Sequence, residues 1–135
     1  MSMDRVKSLM KEVGWGTLAT TDGKTVGARP MGGWAWFGEE LWCATSGASE
    51  KVAQLKAVPY AEYCFCKPDG EHVRLAGPCS ISTDNDDKLK LYQAVPLLKN
   101  YIANPADPDY VVIRMKPDRI RIIQKDMTYQ EVTLS

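Results

Sequence analysis

The chain is poor in the residues that most often build metal and hydrolytic centres. It has one histidine, His72, and four cysteines, Cys43, Cys64, Cys66 and Cys79, among 135 residues. None of the cysteines forms a C-x-x-C pair, so the spacing gives little support to a zinc site. No Ser-His-Asp set and no carboxylate pair stands out, which argues against a hydrolase. Net charge is also absent, because seventeen basic and seventeen acidic side chains cancel. That excludes broad electrostatic binding to nucleic acid or to an anionic membrane, and leaves room only for a local basic pocket. No apolar run approaches the ~20 residues that span a bilayer. The opening "MSMDRVKSLMKEVGWG" lacks the apolar core of a signal peptide, so a cytoplasmic protein is expected. There is no repeat, low-complexity segment or Pro/Gly/Ser-rich linker, which predicts one domain over residues 1–135.

What is present is a series of short alternating segments. Val6, Leu9, Met10 and Val13 have helical spacing, with Asp4 early and Gly14 after the end. "WGTLATTDGKTVGARPM" predicts a hairpin, its strands Trp15–Thr20 and Val26–Met31 turning at Asp22-Gly23. Strands Trp34–Phe37 and Leu41–Thr45 flank Gly38-Glu39-Glu40, and a helix Ser49–Ala57 stops before Pro59. "AEYCFCK" and "HVRLAGPCSIS" pair around Pro68-Asp69-Gly70. "TDNDDKLKLYQAV" opens with N-cap candidates, and "PLLKNYIANPADPD" is a second helical piece with a loop. "YVVIRMKPDRIRIIQ" supplies one or two closing strands, and "KDMTYQEVTLS" is a tail or an added strand. The sum is a mainly β (α+β) fold: six to eight short antiparallel strands with about three helices. Strands this short and numerous solve their edge problem by closing into a barrel.

One constellation carries chemistry. Arg29 ends one strand, and Thr45 and Ser46 end another expected to neighbour it. Ser49 is a good N-cap for the following helix, and Lys51 sits in that helix's first turn. A cation there opposes the helix dipole unless an anion accompanies it. Hydroxyls, Gly47, free helix N–H groups and two cations make a phosphate cradle. A surface lysine tolerated at a cost of tenths of a kcal/mol is the other reading.

"GTLATTDGKTVGARPM", "LWCATSGASEKVAQLKAVPYAEYCFC", "HVRLAGPCSIS" and "DPDYVVIRMKPDRIRII", in this order and spacing, resemble the pyridoxamine 5′-phosphate oxidase-like superfamily of flavin-binding split barrels. Within it the chain is most similar to the general stress protein group. The resemblance implies a split β-barrel and a homodimer that binds FMN at two equivalent sites on the subunit interface. Its Arg-Pro-Met segment matches Arg29, Pro30 and Met31, beside the ribityl chain and flavin edge, with Gly32 shaping the backbone there. Its Thr/Ser-x-x-Ser-x-Lys segment matches Thr45 or Ser46, Ser49 and Lys51, which would hold the phosphate.

Two departures stand out. Glu50 occupies the position where pyridoxamine-phosphate-oxidising members carry arginine, and a carboxylate there repels phosphate unless it points away. The last core strand reads Ile120-Arg121-Ile122-Ile123, without the aromatic that related chains often place near the partner's flavin. The arginine and histidine set that would bind the substrate phosphate is not found, so pyridoxal phosphate is not an expected product. The resemblance leaves an FMN-dependent oxidoreductase acting on a small-molecule substrate or electron donor. The alternatives are a non-catalytic flavin-binding stress or sensor protein, or a binder of haem or a deazaflavin. Haem would need His72, which is expected to be structural. Trp34 and Trp36 share a strand face and read as barrel core or dimer interface more readily than as a flavin wall. Tyr92, Leu97, Leu98 and Tyr101 would pack a helix or cover a partner's pocket. Arg114, Arg119 and Arg121 read as a solvated face or an anion lure. Cys64 and Cys66 share a face and are expected to be reduced, half-buried thiols rather than soft-metal ligands. The acidic run Asp84, Asp86, Asp87 reads as a helix start, not a calcium loop.

Overall fold

A computed structural model describes residues 2–134. Short alternating runs form nine strands: β1 (Gly16–Thr21), β2 (Val26–Met31), β3 (Trp34–Phe37), β4 (Glu40–Ser46), β5 (Tyr60–Cys66), β6 (His72–Ser82), β7 (Tyr110–Met115), β8 (Arg119–Ile123) and β9 (Tyr129–Val132). Helices α1 (Met3–Val13), α2 (Glu50–Ala57) and α3 (Asn85–Ala94) flank them. The piece after α3 is a single 3₁₀ segment, Pro96–Asn100. The mainly β split barrel with three helices is therefore the fold expected from the sequence. The tail raises the strand count to nine, because Tyr129–Val132 pairs with β8.

All pairings are antiparallel, and the main path runs β2-β1-β5-β6-β7-β4-β3. Its two ends, β2 and β3, are consecutive in the chain and joined only by Gly32-Gly33. Three Cα–Cα steps span at most ~11 Å, so the sheet has to curl until its ends nearly meet. The ends are not hydrogen-bonded to each other, and that gap is the split in the barrel.

β6 makes the curl possible. One edge pairs with β5 from His72 to Pro78. The other edge pairs with β8 from His72 to Ala76, then with β7 from Cys79 to Ser82. The changeover falls at Gly77-Pro78, where the β7–β8 connection crosses the strand. Lys116 N donates to Pro78 O at 3.0 Å and Asp118 N to Ala76 O at 2.9 Å. A side chain at Gly77 would meet the Lys116 carbonyl oxygen and stand 2.7 Å from Pro117 Cα. Only a residue without Cβ lets the backbone cross this closely.

The interior is Leu18, Tyr63, Phe65, Val73, Leu75, Ile113, Met115, Ile120 and Ile122, closed at one end by Val6, Leu9 and Met10 of α1. Trp34 belongs to this core, its ring edge-on to Phe65 at 5.3 Å and its indole N–H donating to Gly14 O at 2.7 Å. A second cluster forms on the opposite face of β4 and β7, where Trp42, Tyr110 and Val112 meet Leu91, Val95 and Leu98. Successive residues of those strands thus serve two different cores. Asp84 caps α3 by accepting from Asp87 N at 3.1 Å. No helix among the described residues is long and apolar enough to cross a membrane.

Gly77→Ala is expected to lower unfolding stability by ~3 kcal/mol, because the obstacle is backbone that cannot rotate aside. Urea denaturation followed by tryptophan fluorescence measures it, and an unchanged midpoint would refute the crossing constraint.

Candidate functional site

The split opens into a cleft of about 280 Å³ on this chain. Its floor is the end of β2 and the link to β3: Pro30, Met31, Gly32 and Gly33. Ala44, Thr45 and Lys51 stand at one end, and Leu97, Leu98, Tyr101 and Ile102 form a wall. Trp15 also lines the cleft, its ring beside Gly32. Five of the eight residues expected from the sequence (Pro30, Met31, Gly32, Thr45 and Lys51) line it together.

The floor is held from both sides. Buried Tyr63 donates its hydroxyl to Met31 O at 2.7 Å, which fixes the backbone at the start of the link. A Cβ on Gly32 would stand 2.7 Å from the Trp15 ring, and one on Gly33 would stand 2.6 Å from Leu98 Cδ2. The glycines therefore let Trp15 and Leu98 pack onto bare backbone. Trp15 is 51% exposed and Tyr101 is 70% exposed, so two aromatic side chains at the cleft keep half or more of their surface open to solvent.

Lys51 Nζ donates to Thr45 Oγ1 at 2.9 Å. Partial burial, and then the charge of Arg29, push its pKa below the ordinary 10.5. Both causes disfavour the ammonium while no anion is bound. Ser49 takes the N-cap position with extended backbone, but its hydroxyl donates to Ser46 O at 2.7 Å and caps no helix N–H. Ser46 Oγ lies 2.8 Å from each carboxylate oxygen of Asp109. Neither serine proton expected at a phosphate points there.

Arg29 packs beneath α2 rather than standing free. It donates to Thr20 Oγ1 at 2.6 Å and reaches Gln54 Oε1 at 3.5 Å. Thr20 and Gln54 are each 2% exposed and bonded to each other. Glu50 lies 3.7 Å from the Arg29 guanidinium with its side chain 73% exposed, so the carboxylate faces the arginine and water.

Trp15, Gly33, Ala44 and Ile102 were not anticipated as cleft residues. Leu97, Leu98 and Tyr101, expected to pack a helix or cover a partner's pocket, line the cleft of their own chain, with Leu97 and Leu98 packed in the cluster under α3. His72 and all four free cysteines lie off its lining, and Cys43 and Cys79 are buried. Burial pushes the Cys79 thiol up to about 12. No group of three or more metal-capable side chains comes together among the described residues. A wider hollow of about 420 Å³ lies on the outer wall of β1, β5, β6 and β8. Its charges are already paired, Arg121 with Glu62 at 2.7 Å and Arg119 with Glu131 at 3.1 Å. Arg114 is likewise taken, by Glu40 and Asp87.

The family profile described as pyridoxamine 5′-phosphate oxidase matches residues 2–124. No curated protein matches the sequence. Among solved structures, a NimC/NimA family protein from Clostridium acetobutylicum aligns with TM-score 0.84 and 23% identity, covering 96% of this chain and 90% of that one. General Stress Protein 26 from Bacillus anthracis aligns with TM-score 0.77 and 24% identity over 95% and 96% of the two chains. An F420 reductase aligns with TM-score 0.66 and 26% identity over 88% and 95%.

Lys51→Met should leave the melting temperature unchanged or raise it, since it removes a charge that burial already disfavours. The same physics makes the native fold gain stability as pH rises from the depressed Lys51 pKa towards 10.5, because the unfolded chain then holds the extra proton. Loss of that alkaline gain in Lys51→Met, followed by thermal melts across pH, checks the assignment.

Proposed function

The chain belongs to the pyridoxamine 5′-phosphate oxidase family, and from that premise we propose that it is a small flavin-binding oxidoreductase with FMN as its cofactor. The observation that carries the reading is the cleft itself. It sets a narrow backbone floor and two aromatic rims beside a hydroxyl and an ammonium at one end. A planar ring with a phosphorylated tail has that sequence of chemistries. The donors suit the group: Lys51 and the first N–H groups of α2 for the phosphate, and the Pro30–Gly33 backbone for the ring edge. When bound, the flavin would supply hydride or electron transfer, and the protein's part is positioning and exclusion of water.

The partner in this reading is a second copy of the chain, with the cofactor between the two. The cleft in one chain is slightly smaller than the ~300–1,000 Å³ usual for ligand pockets. Trp15 and Tyr101 leave apolar rim for another subunit to cover. No side chain in the cleft has the set needed to grip a pyridoxamine phosphate in addition to the cofactor, so the substrate is a different small molecule or electron donor. Similarity to an F420 reductase supports a deazaflavin as the second reading. Haem has less support, since His72 lies off the cleft lining and its Nδ1 is 2.8 Å from Gly70 O.

Purified protein loaded with FMN and desalted is expected to keep the flavin absorption bands, and Lys51→Glu to lose them. A deazaflavin spectrum in the protein as isolated would replace FMN with the second reading. Loss of both would remove the oxidoreductase reading. Dilution should release flavin over the same concentration range in which sedimentation shows dimers separating. Flavin retained by monomers would overturn the interfacial site.

A further inference from the structure

The charges around the cradle nearly cancel. Arg29 and Lys51 are the cations, with Glu50 3.7 Å from the Arg29 guanidinium. The fourth charge is Asp109, 63 residues from Ser46 in sequence. Its carboxylate takes the Ser46 hydroxyl with both oxygens at 2.8 Å. Its backbone is docked as well: Gly47 N donates to Asp109 O at 2.6 Å. Asp109 N in turn donates to Asp107 Oδ1 at 2.9 Å. The Ser46-Gly47 turn, one residue beyond Thr45, is therefore clamped by an acidic residue from the loop that also supplies Tyr101 and Ile102 to the cleft wall.

A serine has one hydroxyl proton. While Asp109 accepts it, Ser46 offers an incoming phosphate only lone pairs, and Ala48 N at 3.3 Å already approaches those. Asp109 thus acts twice against a doubly charged phosphate monoester. It withholds a donor and sets a carboxylate against the Ser46-Gly47 turn. Glu50 differs, since it lies against a cation and its charge is largely offset.

We propose that Asp109 is a specificity-determining residue of the cradle, a positioning group that acts through Ser46 and weakens selection for a dianionic phosphate over the phosphate-free ring. The proposal rests on the flavin reading for its ligand. The consequence is a cleft that recognises its ligand chiefly through the ring and discriminates modestly on the tail.

The test is a set of variants read by the ratio of FMN to riboflavin affinity, from flavin fluorescence titrations at low and high salt. Asp109→Asn keeps one acceptor oxygen for Ser46 and removes the charge, so the ratio should rise roughly threefold at low salt and less at high salt. Asp109→Ala also frees the hydroxyl and should add roughly another threefold that salt does not erase. Ser46→Ala placed in the Asp109→Ala background should remove that second gain alone. A clamp that is merely structural would change the melting temperature and both flavins alike, leaving the ratio flat, and that result overturns the proposal. Binding of neither flavin to any variant would sink the flavin reading instead. Thermal stabilisation by inorganic phosphate, compared between the native protein and Asp109→Asn, then decides the role of Asp109 alone: greater stabilisation of the variant sustains it and equal stabilisation refutes it.

Discussion

Everything in this fold depends on a two-residue link. Gly32-Gly33 ties together the two ends of a seven-strand path, so the sheet cannot lie open. Closure without hydrogen bonds between those ends leaves a seam, and the seam is the cleft. Both glycines also serve the cleft directly, since their missing side chains give Trp15 and Leu98 a place to pack. The link is short for a topological reason and bare for a steric one, and the same residues satisfy both demands.

Closing the path concentrates the pairing at the middle of the sheet, where β6 meets three neighbours. This eleven-residue strand pairs with β5 through His72–Pro78 along one edge and with β8 and then β7 along the other. Gly77 is the hinge of that exchange. The barrel interior and the smaller cluster under α3 are filled from alternate residues of β4 and β7, which makes these strands the common wall of two cores. Thr45 and Ser46 lie at the end of that wall. Their placement follows from the register of Cys43 and Ala44 against Ile113 and Val112. A shift of one residue would exchange the faces presented to the cleft.

The electrostatics of the site come from elements far apart in sequence. Arg29 has Glu50 of α2 3.7 Å away and is held by Thr20 and Gln54. Lys51 is half desolvated and feels Arg29 as a like charge. Both effects disfavour the Lys51 ammonium, and the anion of the proposed reading would relieve them. In the proposal made above, Asp109 limits that relief.

Strand positions were legible where burial on one face writes a period of two into the sequence, and β2 falls where that pattern puts it. The Arg29–Lys51 segment could be picked out because its cations, hydroxyls and glycine lie within one short stretch. The hydroxyl directions could not be read, since the protons of Ser46 and Ser49 go to partners that only the folded turn presents. Trp15 looked like the first residue of a strand, and only its contact with Gly32 makes it a cleft wall. Asp109 looked like a loop acid beside proline. The sequence by itself determined the elements, the barrel class and the short constellation of the cradle, because these depend on local periodicity and near neighbours. The tertiary structure decided which end of the barrel stays open, which aromatics edge it and which carboxylate restrains it, because those depend on hydrogen bonds and contacts between residues tens of positions apart.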